Sequence, residues 1–160
     1  MRFTTLRLMQ LLQYTGKIGL RVQLHQLLYI LQQKGFDYGL FFKRYKEGMA
    51  APELGTEMEF LVNIGYAKII FSDGANCYCL NTAYSETTPI DELPDREQAI
   101  VDALEDLEPA ILLETAILFF LNEKKNKKNE KLQQELAALK PDLFNHVFTA
   151  YDLYNQIRAI

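Results

Sequence analysis

Few side chains in this 160-residue sequence combine the types and the spacing that catalysis or metal binding requires. The two cysteines, Cys77 and Cys79, stand two residues apart, so both thiols would lie on one face of a β-strand. A zinc site needs four ligands, and the histidines His25 and His146 belong to other parts of the sequence. Because free cysteine is commonly buried and inert, we predict two buried, unreactive thiols and no metal site.

Residues suited to acid–base chemistry lack matching partners. His25 has the chemistry of a general base, but no nucleophile stands beside it, so we favour a half-buried boundary position, as for His146. Glu114 interrupts an apolar stretch, and we expect it to be buried and paired with a lysine or arginine. The sequence contains no phosphate-binding glycine loop, no serine nucleophile elbow and no H-E-x-x-H pair. We therefore predict a non-catalytic protein without a cofactor; a hydrolase or transferase would require a pocket that joins His25 or Glu114 to other polar groups.

Charge is unevenly distributed along the chain. Residues 1–50 contain eight basic and two acidic side chains, whereas residues 51–90 contain one lysine and five acids. Residues 91–123 contain one arginine and ten acids, and residues 124–160 contain seven basic and four acidic side chains, for a net charge of −4. Basic ends of this kind suit an anion such as nucleic acid. The favoured alternative is that the acidic segment packs beside them, within one chain or across a dimer.

The composition is that of a soluble globular domain. Apolar residues make up 49% and charged residues 24%, which excludes a disordered chain, a collagen-like repeat and a disulfide-rich miniprotein. The first residues lead into a helical pattern without a signal-peptide plan, so we expect a cytoplasmic protein. The lysine-rich run Lys124–Lys131 has two interpretations, a solvated loop or a patch for phosphate or an acidic partner.

Two helices are predicted at the start of the chain. The first covers residues 4–14, with Thr4 or Thr5 as its N-cap and Gly16 at its end. The second has the clearest apolar periodicity and ends before Gly35. Its stripe comprises Leu24, Leu27, Leu28 and Leu31, and the side chains expected to face away from that stripe are Gln23, Gln26 and Gln33.

A strand, a charged loop, a third helix and a hairpin are predicted next. Aromatic residues favour a strand over 38–45, and the charged residues of 43–48 favour a loop. The third helix should cover 52–64, with Leu54, Met58, Leu61 and Val62 as its buried stripe. Strands at 66–71 and 76–81 flank an Asp-Gly turn. Three helices followed by a two-stranded wing is the order of a winged helix.

Winged helices often bind DNA, but the charge of the third helix argues against that use here. A DNA-reading helix presents Arg, Lys, Asn or Gln to the bases. The third helix instead contains Glu53, Glu57 and Glu59, with Glu53 and Glu57 on the flanks of its exposed face, and no lysine or arginine. Carboxylates repel the phosphate backbone. A protein-contacting winged helix is therefore favoured over a DNA-reading one.

The second half of the sequence is predicted to be helical. Residues 85–94 form a connection, and a helix with Ile100, Ala103, Leu104 and Leu107 follows. Residues 110–121 are apolar almost all round but too few to span a bilayer, so they predict a buried central helix. The last helix has an apolar stripe that is either core or a dimer seam, comprising Phe144, Val147, Phe148, Tyr151, Tyr154 and Ile157.

Two segments resemble motifs of the YwgA-like and Panacea-domain proteins. Residues 22–33, V-Q-L-H-Q-L-L-Y-I-L-Q-Q, look like the K-L-Q-K-L-L-Y helix of that family. Residues 53–65, E-L-G-T-E-M-E-F-L-V-N-I-G, are similar to its second motif, a helix ending in L-x-x-x-G before a strand. The resemblance covers about residues 5–82 but lacks the family's Y-G-P-Y-S-like turn, since 45–52 is Y-K-E-G-M-A-A-P. It implies a small bacterial or phage-type antitoxin or adaptor that binds proteins, without a shared catalytic site.

These observations predict a mostly helical α+β protein. A winged-helix-like part over 1–84 with a small β-hairpin wing precedes a helical part over 85–160, packed as one unit. The expected function is non-catalytic regulation by protein–protein contact, as an antitoxin or defence-related adaptor; the alternative is a winged-helix DNA-binding regulator. A homodimer would use the C-terminal helices. The predicted partner-binding residues are Arg21, His25, Lys43, Arg44, Lys46, Glu59 and Asn63.

Overall fold

The computed structural model describes residues 2–19, 22–46, 48–72, 74–84, 90–125 and 147–160. Within these ranges the chain is α+β and mostly helical, as predicted, with six helices and two small antiparallel sheets. In chain order the elements are α1 (Phe3–Thr15), β1 (Lys17–Gly19), α2 (Val22–Gln33), β2 (Lys43–Tyr45), β3 (Gly48–Ala50), α3 (Glu53–Asn63), β4 (Ala67–Ser72), β5 (Ala75–Leu80), α4 (Asp95–Leu104), α5 (Pro109–Lys125) and α6 (Val147–Arg158).

The first helix ends as predicted but begins differently. Gly16 ends α1 with a φ of 76°, and its N–H donates to the Leu12 carbonyl at 2.8 Å. The predicted threonine N-cap is wrong, because Arg2 occupies the N-cap position and no side chain caps the helix. Thr5 instead lies inside the first turn, where it is buried and donates its hydroxyl proton to Glu57 Oε2 at 2.8 Å.

The leucine stripe of α2 is buried, and Gly35 follows the helix with a φ of 92°, as predicted. The expectation that three glutamines face away from the core is wrong for Gln26, which is 1% exposed and bonded to the backbone of Met49. Gln23 is half-buried and donates to the Glu105 carbonyl, whereas Gln33 is exposed. A polar side chain can enter a core when buried backbone groups supply its hydrogen bonds.

Residues 38–50 differ from the prediction. Only the end of the expected strand forms β2, and the expected charged loop belongs to a two-stranded hairpin in which Arg44 pairs with Met49. Residues 38–42 are irregular because Gln32 Oε1 accepts hydrogen bonds from the N–H groups of Tyr38 and Leu40. The conformation of Gly48, with a φ of 125°, favours glycine at the start of β3.

The second sheet has the order β1-β5-β4. Its hairpin, β4–β5, lies where the Asp-Gly turn predicted it, with Ile69 opposite Tyr78 and Ile70 opposite Cys77. The residue Asp73 of that turn lies outside the described residues. Strand β1 was not expected, because three residues are too few for an alternation to be recognised.

The C-terminal helices pack on the N-terminal part, and one hydrophobic core includes residues of both. As predicted, α5 is a buried central helix, which contacts α2, β3 and α6. Tyr154 and Ile157 of α6 are fully buried, and the Tyr154 ring meets that of Phe119 edge-on at 4.8 Å. Tyr154 and Ile157 therefore belong to the core of one chain; Phe144 and the Phe148 side chain lie outside the described part. None of the described helices has the length and apolar character needed to cross a membrane.

Candidate functional site

Three of the predicted partner-binding residues lie on or beside the β2–β3 hairpin. Lys43 and Lys46 are exposed and Arg44 is half-buried. Because side chains alternate along a strand, Lys43 and Tyr45 share one side of β2. Phe41, just before β2, is 81% exposed, and Tyr45 is 41% exposed. The hairpin therefore presents aromatic rings together with positive charge. The sequence had indicated the positive charge but not the exposed rings.

A groove of about 480 Å³ borders this hairpin, and we call it the hairpin groove. Its lining combines cations, amides and aromatic rings, including those of Gln32, Phe41, Phe42, Lys43, Arg44 and Phe120. The rings of Tyr29 and Phe42 meet edge-on at 5.5 Å, which fixes one wall. Apolar rings favour burial against a partner, and the two cations at the rim favour negative charge.

Buried contacts from α2 and α5 hold the hairpin in place. Gln26 donates from Nε2 to the Met49 carbonyl at 2.8 Å and accepts from the Met49 N–H at 3.2 Å. Gly48 lies so close to Leu113 that an added Cβ would overlap that side chain. The β2–β3 hairpin is thus attached to the helical core rather than free in solvent.

His25 lies beneath the end of the hairpin, where it accepts a hydrogen bond. Its Nδ1 is 3.1 Å from the Ala51 backbone nitrogen, and the side chain is half-buried, as predicted. Burial lowers the pKa of His25 below 6.5, and the nearby Glu53 carboxylate opposes this shift. A protonated Nδ1 has no lone pair for the Ala51 N–H, so the neutral ring is the form that fits. His25 therefore positions the chain between β3 and α3.

Acidification is expected to destabilise the protein through His25. Because the folded pKa lies below 6.5, the unfolded chain binds more protons as the pH falls through that value, and unfolding is favoured. Above pH 6.5 both states hold a neutral ring and this stability is fully present. Urea denaturation at a series of pH values between about 5 and 8 measures the effect, because this pH range includes the ordinary histidine pKa.

His25→Asn is the matched control, since its side-chain oxygen keeps an acceptor that does not titrate in this window. The variant should lose the part of the acid sensitivity that comes from His25, while the part that comes from carboxyl groups remains. An unchanged pH dependence in His25→Asn would contradict a neutral, accepting His25.

The acidic face predicted for α3 is altered by one ion pair between a buried carboxylate and an exposed arginine. Glu57, expected on the flank of the exposed face, is 6% exposed and lies 2.5 Å from the Arg2 guanidinium. Glu57 is buried because Arg2 and Thr5 of the first helix satisfy its two oxygens. Glu59 and Asn63 are exposed, as expected, but lie about 9 Å and 15 Å along the helix from Glu53. The structure therefore does not bring these two residues together with the predicted cations of the β2–β3 hairpin.

A second ion pair joins the basic N-terminal segment to the acidic middle of the chain. Glu97 is fully buried and accepts two hydrogen bonds from Arg7 Nη2, at 2.6 and 2.7 Å. The Tyr38 hydroxyl donates to the same carboxylate at 2.5 Å, and the Arg7 guanidinium stacks 4.4 Å from the Tyr38 ring centre. Burial, and then the Glu97 charge, raise the pKa of Tyr38. For these residues the expected packing of the acidic segment beside the basic one, within a single chain, is confirmed.

The same two segments meet again at the surface. Tyr14 donates to Asp102 Oδ1 at 2.6 Å, and this hydrogen bond is the main cause that raises the pKa of Tyr14 to about 12. Arg96, the one basic residue of the acidic middle, lies with its guanidinium 5.5 Å from the Phe36 ring centre. Some charged side chains that the sequence made candidates for partner contact therefore interact with residues of the same chain.

The other residues considered for chemistry or partner binding are cysteines, a buried glutamate and residues outside the described part of the chain. Cys77 and Cys79 are free and half-buried rather than buried, because β5 belongs to a small sheet that the core only partly covers. Glu114 is fully buried in α5. In the described ranges, no cluster of His, Cys, Asp and Glu has the arrangement of a metal site. The predicted residues Arg21 and His146, and the side chains of Lys124–Lys131, lie outside the described part.

Comparison with protein-family models, with curated proteins and with solved structures gave no match for this chain. Its function is therefore inferred from the residues and the geometry described above.

Proposed function

We propose that the protein is a non-catalytic regulator that acts by protein–protein contact at the β2–β3 hairpin. The observation behind this proposal is the exposure of Phe41, 81%, beside Lys43 and the hairpin groove. Burying an exposed aromatic ring contributes strongly to protein association, and neighbouring cations select an acidic partner. The partner-binding set remains the predicted one, with His25 in a positioning role and Lys43, Arg44 and Lys46 in contact with the partner.

The winged-helix assignment is part of the same proposal. Helices α1, α2 and α3 precede the β4–β5 hairpin, and β1 completes a three-stranded sheet of order β1-β5-β4, which supports the assignment. The β2–β3 hairpin is then an insertion between the second and third helices. An insertion that places aromatic rings and cations on the surface is suited to partner recognition.

An antitoxin or a defence-related adaptor is the biological role we propose, and the resemblance to YwgA-like and Panacea-domain proteins supports it. That role requires a partner protein and no catalytic group of its own. The homodimer proposed for the C-terminal helices would use a surface of α6 other than Tyr154 and Ile157, because these two side chains are buried within the chain.

DNA binding is the second candidate, and one observation favours it more than the sequence did. Glu57 is paired with Arg2, whose side chain is 77% exposed, so the exposed face of α3 is less acidic than its composition indicated. Two carboxylates, Glu53 and Glu59, still remain on the helix, and Glu53 accepts the Phe41 N–H at 2.6 Å. DNA binding would require an affinity that falls steeply with salt and a continuous basic face.

Charge reversal at the hairpin is expected to abolish partner binding. The triple variant Lys43→Glu, Arg44→Glu and Lys46→Glu places negative charge before an acidic partner, while the melting temperature should stay nearly unchanged because Lys43 and Lys46 are exposed and Arg44 is half-exposed. A tagged pull-down from the native host, with and without nuclease and analysed by mass spectrometry, measures the binding.

The matched control reverses the charge of three exposed cations outside the β2–β3 hairpin, Lys17, Lys68 and Arg158, and so changes the net charge equally. One protein recovered near stoichiometrically, insensitive to nuclease and lost only in the hairpin variant supports the proposal. Intact binding in the hairpin variant would refute the site. Recovery of nucleic acid, or loss of partners after nuclease treatment, would favour the DNA-binding alternative.

A further inference from the structure

The outer edge of β4 is the strongest feature that the proposed function leaves unused. In the order β1-β5-β4 this six-residue strand is terminal, and no strand of the described residues pairs with its outer side. Its apolar side chains are unusually exposed: Ile69 is 51%, Ile70 37% and Phe71 71% exposed. Exposed backbone edge and exposed apolar side chains thus coincide on one strand.

Edge strands of monomeric proteins are normally protected against pairing with another chain. Proline, several charged side chains, a bulge or a very short strand serve this purpose. Strand β4 has the sequence A-K-I-I-F-S, in which Lys68 is the only charged residue and proline is absent. Its register with β5 is continuous from Ala67 to Ser72, so no bulge turns the edge away. The strand is therefore suited to pairing.

The sequence of β4 is complementary to itself under a two-fold axis perpendicular to the sheet. Such an axis pairs two copies of a strand antiparallel and keeps each side chain on its own face, so one residue must stand opposite its own copy. With Ile70 at the axis, Ile69 stands opposite Phe71 of the second copy, and Phe71 opposite Ile69. Aromatic and β-branched residues are favourable cross-strand pairs.

Neighbouring registers are less favourable. With Ile69 at the axis, Lys68 would stand opposite Ile70, and a charged side chain would face an apolar one. With Phe71 at the axis, Ile70 would stand opposite Ser72, and Ile69 would stand opposite Asp73, beyond the end of the strand. Only the register centred on Ile70 pairs all three exposed apolar side chains with apolar side chains.

We propose that β4 pairs with β4 of a second copy of this chain, centred on Ile70. The two three-stranded sheets then form one six-stranded sheet, β1-β5-β4-β4-β5-β1, and the cross-strand pairs of Ile69 with Phe71 lie on one face of it. The interface is closed, because each copy uses its single free β4 edge. This dimer is independent of the hairpin groove. It takes the place of a homodimer through the C-terminal helices, since two such interfaces on one chain would give assemblies larger than a dimer.

Disulfide trapping tests the register directly. Cys77 and Cys79 are first replaced by serine, because Cys77 stands opposite Ile70 within the chain and would capture a new thiol there. In this background Ile70→Cys should give a covalent dimer on mild oxidation, since the two thiols meet at the axis. Lys68→Cys is the matched control on the same strand and should remain monomeric, because its copies lie on opposite sides of the axis.

Sedimentation of the otherwise unmodified protein over a concentration series should show a monomer–dimer equilibrium. Ile70→Lys places two lysines opposite each other and should abolish the dimer while leaving the circular dichroism spectrum unchanged. A protein that stays monomeric at all concentrations would overturn the proposal. Equal trapping of Ile70→Cys and Lys68→Cys, or assemblies larger than a dimer, would overturn the register and the closed pairing.

Discussion

Replacing Arg7 with alanine is expected to lower the free energy of unfolding by about 3–5 kcal/mol, the usual cost of removing one partner of a buried ion pair. Glu97 is fully buried, and Arg7 supplies two of the hydrogen bonds to its carboxylate. Without the guanidinium, a negative charge would stay in the core, where the Tyr38 hydroxyl still donates a hydrogen bond to it. Urea denaturation followed by circular dichroism measures the loss.

Arg2→Ala is the matched control for this prediction. Arg2 also forms an ion pair, with the buried Glu57, but its side chain is 77% exposed and covers Glu57 in a surface pocket. Removing Arg2 therefore opens the Glu57 carboxylate to water, and solvent replaces much of the lost contact. The expected loss is about 1 kcal/mol or less, as for most exposed pairs. If Arg7→Ala and Arg2→Ala cost the same, burial of the arginine, which distinguishes the two ion pairs, would not govern their contribution to stability.

A double replacement separates the charge from the packing. In Arg7→Met with Glu97→Leu no charge remains buried, and apolar side chains fill most of the volume. We expect this double variant to be more stable than Arg7→Ala alone, even though the Tyr38 hydroxyl loses its acceptor. A double variant that is less stable than Arg7→Ala would indicate that the hydrogen bonds matter more than the buried charge.

Local sequence signals were sufficient to predict the long elements. The stripe from Leu24 to Leu31 identified α2, the apolar run around Leu118 identified α5, and the Asp-Gly dipeptide located the β4–β5 hairpin. In each case the signal is local, since it lies within about a dozen consecutive residues. Local signals failed for β1 and β3, which have three residues each and leave no measurable alternation, whereas β2 is the end of the strand predicted over 38–45.

Buried polar residues could not be predicted for a different physical reason. Glu57, Glu97 and Gln26 are polar and occupy helices, so their types favour exposure. Each is buried because a partner far away in the sequence satisfies it: Thr5, Arg7 and Met49 respectively. Such pairs depend on how helices are placed in space, which a single sequence does not specify.

The candidate site likewise combines features that are visible in the sequence with features that depend on tertiary contacts. The cations Lys43, Arg44 and Lys46 stood out in the sequence because charge is visible in composition. The exposure of Phe41 did not, since phenylalanine is usually buried. Its exposure results from the irregular segment before β2, which Gln32 and Glu53 fix through backbone hydrogen bonds. The site is therefore a local charge signal combined with an aromatic ring placed by tertiary contacts.

Replacing Gln26 with leucine is expected to release the β2–β3 hairpin from the core. The side-chain amide satisfies both the N–H and the carbonyl of Met49, as a neighbouring strand would, and both residues are buried. Leucine has a similar volume but no polar atoms, so two buried backbone groups lose their partners. Since each such group costs about 1–3 kcal/mol, the free energy of unfolding should fall by at least about 2 kcal/mol.

The hairpin should respond more than the rest of the fold, because Met49 is the residue that pairs with Arg44 in β2. Amide hydrogen exchange at residues 43–50 should accelerate in Gln26→Leu, while exchange in α5 remains slow. Gln13→Leu is the matched control, since it makes the same chemical change at an exposed position of α1 that does not line the hairpin groove, and it should alter stability by about 0.5 kcal/mol or less. Partner binding should weaken in Gln26→Leu and not in Gln13→Leu, because only the former displaces Lys43 and Arg44. Unchanged exchange in the hairpin of Gln26→Leu would mean that the contacts of Gly48 with α5 are sufficient to hold the site.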